Sequence, residues 1–201
     1  MVIKNIAKVC KNSGQVILYD NGICEQWVGD GGALYPLHGL PILTTETLLT
    51  VLDIPEAGQK KLYKDMRLLP DIFDYSDTAR GENIIPDFGL TIGEDGMVLQ
   101  PAKTSKGMVF FDPRYLSPLK DAPGDIQLYE RQTDDGHVYL VAKAGLLLQA
   151  IILPIIPRQR MVERLELLLS ELKKHQRHVS TMTEMTGQIT VDESTGEVVE
   201  E

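Results

Sequence analysis

Cysteine and long apolar runs are both scarce in this sequence. Its 201 residues include two cysteines, Cys10 and Cys24, and neither lies in a Cys-x-x-Cys pair or beside histidine at metal-binding spacing. This excludes a disulfide scaffold. The strongest apolar run, residues 144–156, is interrupted by Gly145 and Pro154 and falls short of the roughly 20 apolar residues that cross a bilayer. The sequence therefore predicts no membrane span, no bound metal and no cofactor.

Positive charge is in deficit. The 20 Lys and Arg are outnumbered by 29 Asp and Glu, which gives a formal net charge of -9. Such a balance argues against nonspecific binding of nucleic acid or anionic membrane by the molecule as a whole, but not against a local basic face. The N-terminus lacks a basic region followed by a long apolar segment, so we expect no signal peptide and a cytoplasmic location.

Complete catalytic motifs are also missing. The glycine-rich residues 29–32 are not followed by Lys-Ser/Thr, so a turn between strands is favoured over a phosphate loop. Asp71, Asp74 and Asp77 lack the glycine and distal glutamate of a calcium-binding EF-hand loop. We therefore expect binding or assembly rather than catalysis, and an enzyme that uses loop 71–80 is the least favoured alternative.

Two stretches of the chain resemble each other. Residues 14–20 and 124–130 both read as Gly, any residue, β-branched, any residue, Leu, Tyr, acid. Each follows a short amphipathic candidate helix, at residues 3–11 and 113–120, and each is followed by two more apolar segments. The simplest interpretation is a duplicated unit of one helix and three antiparallel strands. Chance agreement of alternating strand patterns is the alternative.

These patterns predict an α+β body over residues 1–157. Its repeats would occupy about 1–43 and 107–157, separated by a helical and loop insertion. The insertion begins with threonines that favour a capped helix after Thr44, and a second helix is predicted from about residue 55 to 66.

A C-terminal amphipathic helix is predicted over residues 158–178. Its apolar residues recur at helical spacing, and they are Met161, Leu165, Leu168 and Leu172, widened by Val162 and Leu169. Two interpretations stay open, a helix docked on its own domain and a helix for self-association or a partner, because two heptads are too few to identify a coiled coil. Residues 179–201 are polar and acidic, and we expect a flexible tail. A small hairpin formed by residues 188–192 and 193–199 is the alternative.

A basic stripe is present in the first helix. Lys4, Lys8 and Lys11 are spaced by four and three residues and so share one helix face. Such a stripe is typical either of a solvated face or of a strip that contacts phosphates. The second repeat carries Arg114 and Lys120 in the corresponding segment.

The repeat resembles a domain of the DNA sliding clamps. The likeness is carried by Pro-Arg-Tyr-Leu-Ser-Pro-Leu-Lys at 113–120, Gly-Asp-Ile-Gln-Leu-Tyr at 124–129, His-Val-Tyr-Leu-Val at 137–141 and the apolar residues 150–157. In that family two such units make one domain, and basic side chains on the helices that line the ring contact DNA phosphates without base readout. The resemblance implies a clamp-like scaffold with five DNA-facing residues, Lys4, Lys8, Lys11, Arg114 and Lys120.

The alternative function is that of an assembly or adaptor protein, for example of a mobile genetic element, that oligomerises through its C-terminal helix. The expected partners are accordingly DNA in the first case and further copies of the chain or other proteins in the second.

Overall fold

The structure is a computed structural model that describes the backbone of residues 3–94, 96–185, 190–191 and 198–199, and the side chains of residues 3–93 and 96–176. The chain forms two compact units, Met1–Ile156 and Pro157–Glu201. Each unit is described separately below.

The first unit opens with a helix and three strands. These are α1 (Ile3–Ser13), β1 (Gln15–Asp20), β2 (Gln26–Gly29) and β3 (Ala33–Pro36). Helix α1 buries one apolar face, which includes Ile6 and Cys10. It ends at Gly14, whose positive φ of 77° is the left-handed conformation that commonly terminates helices and that only glycine adopts without strain.

The central segment contains two short helices and five strands, which are α2 (Thr45–Val51), α3 (Glu56–Gln59), β4 (Tyr63–Leu68), β5 (Asn83–Ile85), β6 (Ile92–Glu94), β7 (Met97–Thr104) and β8 (Gly107–Phe111). Helix α2 starts where the threonine pattern predicted, because the Thr44 hydroxyl accepts a hydrogen bond from the Thr47 N–H and the Thr47 hydroxyl closes a capping box.

One more helical segment and three strands complete the unit. These are a 3-10 helix (Pro113–Leu119), β9 (Ile126–Gln132), β10 (Val138–Ala144) and β11 (Leu147–Ile152). The helical segment predicted at 113–120 is present in the tighter 3-10 form, and Pro118 lies inside it. Proline lacks the N–H that an α-helix needs at that position. The Asp112 side chain accepts from the Arg114 N–H and caps the segment.

Eight strands form one sheet in the order β4-β1-β2-β3-β11-β10-β9-β5, and β6-β7-β8 form a separate three-stranded sheet. Strands β3 and β11 join the two halves of the large sheet through the antiparallel pairs Leu34 with Ile151 and Ala33 with Ile152. The predicted α+β class is confirmed. The strands predicted at 14–20 and 124–130 correspond to β1 and β9.

The helix predicted over residues 55–66 is wrong in its second half. Helix α3 ends at Gln59, and β4 pairs in parallel with β1 from Tyr63 to Leu68. Most side chains of β4 are exposed, so burial does not drive this strand. The free hydrogen-bonding edge of β1 determines the conformation of β4, and that edge is not apparent from the local sequence.

Apolar side chains cover both faces of the large sheet. On one face, Ile6 and Cys10 of α1 and Leu119 of the 3-10 helix share a core with Tyr35 and with helix α2. On the opposite face Trp27 and Tyr139 are buried together with partly buried side chains of residues 69–75. The sheet therefore lies between a helical layer and a layer of irregular chain.

The second unit contains a long helix, α4 (Gln159–Met185), and a short antiparallel pair, β12 (Thr190–Val191) with β13 (Val198–Val199). Helix α4 extends beyond the predicted end at residue 178. Residues 179–185 of the predicted acidic tail belong to α4, and β12 and β13 lie within the same predicted tail. The other tail residues, 186–189, 192–197 and 200–201, lie outside the described residues, and their flexibility stays a prediction. Among the described helices, none has the length and hydropathy required to cross a membrane.

Candidate functional site

The lysine stripe lies on the outer face of helix α1. Lys4, Lys8 and Lys11 are all exposed, and at 100° per residue they fall within roughly 60° of the helix circumference. The opposite face is anchored, since Ile6 and Cys10 have no exposed surface. Helix α1 contains no Asp or Glu, so the stripe is an uncompensated row of three positive charges along the helix.

Helix α1 is held in place by contacts with the 3-10 helix and with strand β2. The Asn5 side-chain amide donates to the Ser117 carbonyl at 3.0 Å, which ties α1 to the adjacent 3-10 helix. The Cys10 thiol lies 3.8 Å from the Gly29 carbonyl of β2. Burial raises the pKa of Cys10 to about 12, so the sulfur stays a protonated packing group and not a nucleophile. The row of lysines therefore sits on a fixed support.

The second repeat contributes less positive charge than its sequence suggests. Arg114 is exposed, but its guanidinium Nε donates to Asp112 Oδ2 at 2.8 Å, and this hydrogen bond raises the pKa of Arg114. The Asp112 carboxylate therefore neutralises much of that charge. Lys120 is exposed at the end of the 3-10 helix. The structure brings both helical segments into one layer, with α1 as the strongly basic member.

The turn that joins β2 and β3 connects the sheet to the 3-10 helix. The buried Asp30 accepts from the Gly32 and Ala33 N–H groups at 3.0 and 3.1 Å, and from the Tyr115 hydroxyl at 3.3 Å. The Tyr35 hydroxyl in turn donates to the Tyr115 carbonyl at 2.8 Å. The glycine-rich residues are thus a turn between strands, as predicted, and no phosphate loop.

A buried ionic cluster lies beside β9 and β10, and sequence reasoning missed it. The side chains of Arg131 and Lys143 are 2% and 3% exposed, and both bind Glu82. Arg131 Nη2 lies 2.8 Å from Glu82 Oε2. These contacts from Lys143 and Arg131 outweigh the effect of burial and lower the pKa of Glu82. The cluster is therefore one anion shared by two buried cations.

The same arginine holds the loop of residues 71–80, which the sequence offers as the candidate enzyme site. Arg131 Nη1 donates to the carbonyls of Asp74 and Ser76 at 2.8 and 2.9 Å. The Asp77 carboxylate accepts from the Leu148 N–H at 2.8 Å, and the Asp74 N–H donates to the Tyr139 hydroxyl at 2.9 Å. The loop's polar groups are thus engaged in holding it against the sheet.

A cavity of about 320 Å³ adjoins this cluster. Charged residues of both signs line it, including Arg80, Glu82, Glu130 and Arg131. The Glu130 carboxylate is itself occupied, since it accepts from the Ser105 N–H at 2.6 Å. Three of the charged residues that line the cavity, Glu82, Glu130 and Arg131, are thus already hydrogen-bonded within the protein.

Helix α4 displays the predicted partner residues unequally. Met161 is buried and Leu165 is half-buried, whereas Leu168 and Leu172 are 55% and 52% exposed. Leu167 and Leu169 are exposed to a similar extent. This helix therefore presents an apolar surface to solvent.

No protein family, curated protein or solved structure matches this chain. Within the part of the chain that the structure describes, no group of three or more His, Cys, Asp and Glu side chains could hold a metal ion.

Proposed function

We propose that the chain is a non-catalytic, clamp-like scaffold that contacts the phosphate backbone of DNA without reading base sequence. The observation that carries this proposal is the lysine stripe of α1, formed by Lys4, Lys8 and Lys11. It is uncompensated along its helix, exposed, and fixed on a buried face. Rows of fixed positive charge attract phosphate and release condensed counterions from DNA. Phosphate contacts of this kind position a protein on DNA but carry no sequence information.

The strand registers support a duplicated, clamp-like domain. Leu18 of β1 and Leu128 of β9 occupy matching positions in the two repeats. From each leucine, the directly paired residues can be followed across the two neighbouring strands. The paired positions are Leu18, Val28 and Tyr35 in the first half, and Leu128, Ala142 and Ala150 in the second. Tyr35 and Ala150 therefore occupy equivalent positions in the two halves.

The junction of the two halves agrees with this equivalence. Strands β3 and β11 are antiparallel, with Leu34 opposite Ile151, so continuation of the register by one residue sets Tyr35 opposite Ala150. Two equivalent positions face each other only at a two-fold axis. We infer that a two-fold axis relates the two strand triplets, and the adjacent α1 and 3-10 helix are the matching helical elements.

Binding to duplex DNA should depend on the lysine stripe. We expect the chain to bind a labelled duplex weakly at about 50 mM salt, with equal affinity for two unrelated base sequences. Replacement of all three stripe residues by glutamate, Lys4→Glu, Lys8→Glu and Lys11→Glu, should abolish this binding. The fold should persist because charges on a solvated face contribute little to stability. Fluorescence anisotropy measures the affinity, and circular dichroism checks the fold.

A matched control separates the stripe from net charge. Lys60, Lys61 and Lys103 are also exposed, and their replacement by glutamate changes the net charge by the same amount. This control variant should retain most of the binding. No binding by the wild-type protein, or equal loss in both triple variants, would contradict the assignment.

An assembly role is the second candidate, and the exposed leucines of α4 favour it. Apolar surface of this kind is typical of a helix that packs against another protein. The two candidates are compatible, since one depends on α1 and the other on α4.

A further inference from the structure

We propose that Asn21 is a site of spontaneous deamidation, and that the folded chain accelerates the reaction. Asn21 and Gly22 form the one Asn-Gly pair of the sequence. They lie in the loop between β1 and β2, and both are exposed. In such a pair the glycine nitrogen can attack the side-chain amide of the asparagine, because glycine has no side chain to block the approach. This inference goes beyond DNA binding and assembly and depends on neither.

A proton acceptor for the attacking nitrogen is in place. The Gly22 N–H donates to Asp20 Oδ1 at 2.6 Å, which is within the distance required of a general base. The N–H bond lies in the plane of its peptide group, whereas the nitrogen attacks a carbonyl carbon from above or below that plane. Transfer of the proton to Asp20 therefore does not obstruct the attack on Asn21.

Backbone N–H groups polarise the amide that is attacked. Asn21 Oδ1 accepts from three successive N–H groups, those of Ile23, Cys24 and Glu25, at 3.0, 3.2 and 3.0 Å. Negative charge develops on this oxygen when the carbon Cγ is attacked, and fixed donors at such distances stabilise it, as in the oxyanion hole of an acyl-transfer enzyme. The three contacts also identify the oxygen of the amide, since its NH₂ group cannot accept from an N–H.

The nitrogen end of the amide is held as well. Asn21 Nδ2 donates to Glu25 Oε2 at 3.3 Å, and Glu25 Oε1 accepts from the indole N–H of the buried Trp27 at 2.9 Å. The side chain of Asn21 is therefore fixed at both ends, and a fixed orientation of reacting groups lowers the entropic part of a barrier.

The reaction balances with water as its only added reactant. Gly22 N forms a bond to Asn21 Cγ while its proton passes to the Asp20 carboxylate. The Cγ–Nδ2 bond then breaks, and Nδ2 leaves as ammonia with one proton taken from solvent, to which Asp20 returns its own. Water opens the resulting cyclic imide at either carbonyl, which gives aspartate or isoaspartate at position 21. No group is oxidised or reduced.

The rates in folded and unfolded chains test the proposal. The full wild-type chain is incubated at neutral pH in buffer and, in parallel, in guanidinium chloride. Mass spectrometry after proteolysis measures the acid formed at residue 21 over time. Because unfolding removes the proton acceptor and the N–H donors together, we expect the reaction to be about tenfold faster, or more, in the folded chain. An equal or slower rate in the folded chain would overturn the proposal.

An isosteric variant tests the role of Asp20. Asp20→Asn keeps an oxygen that can accept from the Gly22 N–H but cannot take up its proton, so the rate in the folded chain should fall about tenfold. Asp121→Asn is the matched control, since Asp121 is exposed in the turn after the 3-10 helix, and it should react like the wild-type protein. Circular dichroism checks both folds. A wild-type rate in folded Asp20→Asn would overturn the assignment of Asp20, and the comparison of folded with unfolded wild-type chain does not depend on either variant.

Discussion

Replacement of Glu82 by glutamine is expected to lower the free energy of unfolding by about 3 kcal/mol, because it leaves two buried cations without their anion. The side chains of Arg131 and Lys143 are almost fully buried and both bind Glu82. Loss of one member of a buried ion pair costs about 3–5 kcal/mol. The lower end applies here because the Glu82 side chain keeps 16% of its surface exposed.

Urea unfolding at neutral pH measures this effect. The control is Glu171→Gln, which breaks the exposed pair of Glu171 with Lys174 and should cost no more than about 0.5 kcal/mol. Equal shifts of the unfolding midpoint in both variants would show that the cluster does not hold the loop of residues 71–80.

The pH dependence gives a second signature of the same cluster. The pKa of Glu82 in the folded chain lies below its ordinary value of 4.5, so the ionised carboxylate stabilises the fold above that pH. As the pH falls below 4.5 and through the lower folded pKa, this stabilisation is lost. The stability difference between the wild-type protein and Glu82→Gln should therefore be full at neutral pH and shrink in acid.

Replacement of Trp27 by alanine is expected to lower the free energy of unfolding by about 3–5 kcal/mol. Trp27 has no exposed surface, and its ring contacts that of Tyr75 edge-on at 5.0 Å between centroids. Its indole N–H donates to Glu25 at 2.9 Å. The substitution leaves a large cavity between the sheet and residues 69–75, and the surrounding strands are too constrained to fill it.

Far-UV circular dichroism follows this unfolding, since Trp27 is the one tryptophan of the sequence and its fluorescence is lost with it. Tyr63→Ala serves as the control, because Tyr63 lies on the edge strand β4 and is 56% exposed. That variant should lose less than about 1 kcal/mol. A comparable loss in both variants would mean that the layer of irregular chain does not cover a genuine core.

Local patterns in the sequence were sufficient to predict much of the secondary structure of the first unit. Helix α1, the strands β1 and β9 and the start of α2 at Thr44 all depend on spacing or capping within a few residues. The lysine stripe could be predicted for the same reason, since the periodicity that buries Ile6 and Cys10 exposes Lys4, Lys8 and Lys11.

Features that depend on distant partners could not be predicted in this way. Strand β4 exists because β1 offers it a free edge, and Glu82 meets Lys143 only once the intervening chain has folded. A buried cation does leave one signal, because Lys143 interrupts the apolar sequence Val-Ala-Lys-Ala within a strand. Asp112 and Arg114 are separated by two residues in the sequence, but opposite charges at that separation are common, and their pairing could not be predicted from the spacing alone.

The salt dependence of DNA binding by a single stripe variant tests the central claim most directly. A plot of log affinity against log salt concentration has a slope of about -0.9 for each phosphate that the protein neutralises. Lys8→Gln should reduce the magnitude of this slope by about 1, and Lys61→Gln, at an exposed lysine outside α1, should leave it unchanged. Slopes that are identical for the wild-type protein and Lys8→Gln would contradict the claim that helix α1 contacts the phosphate backbone.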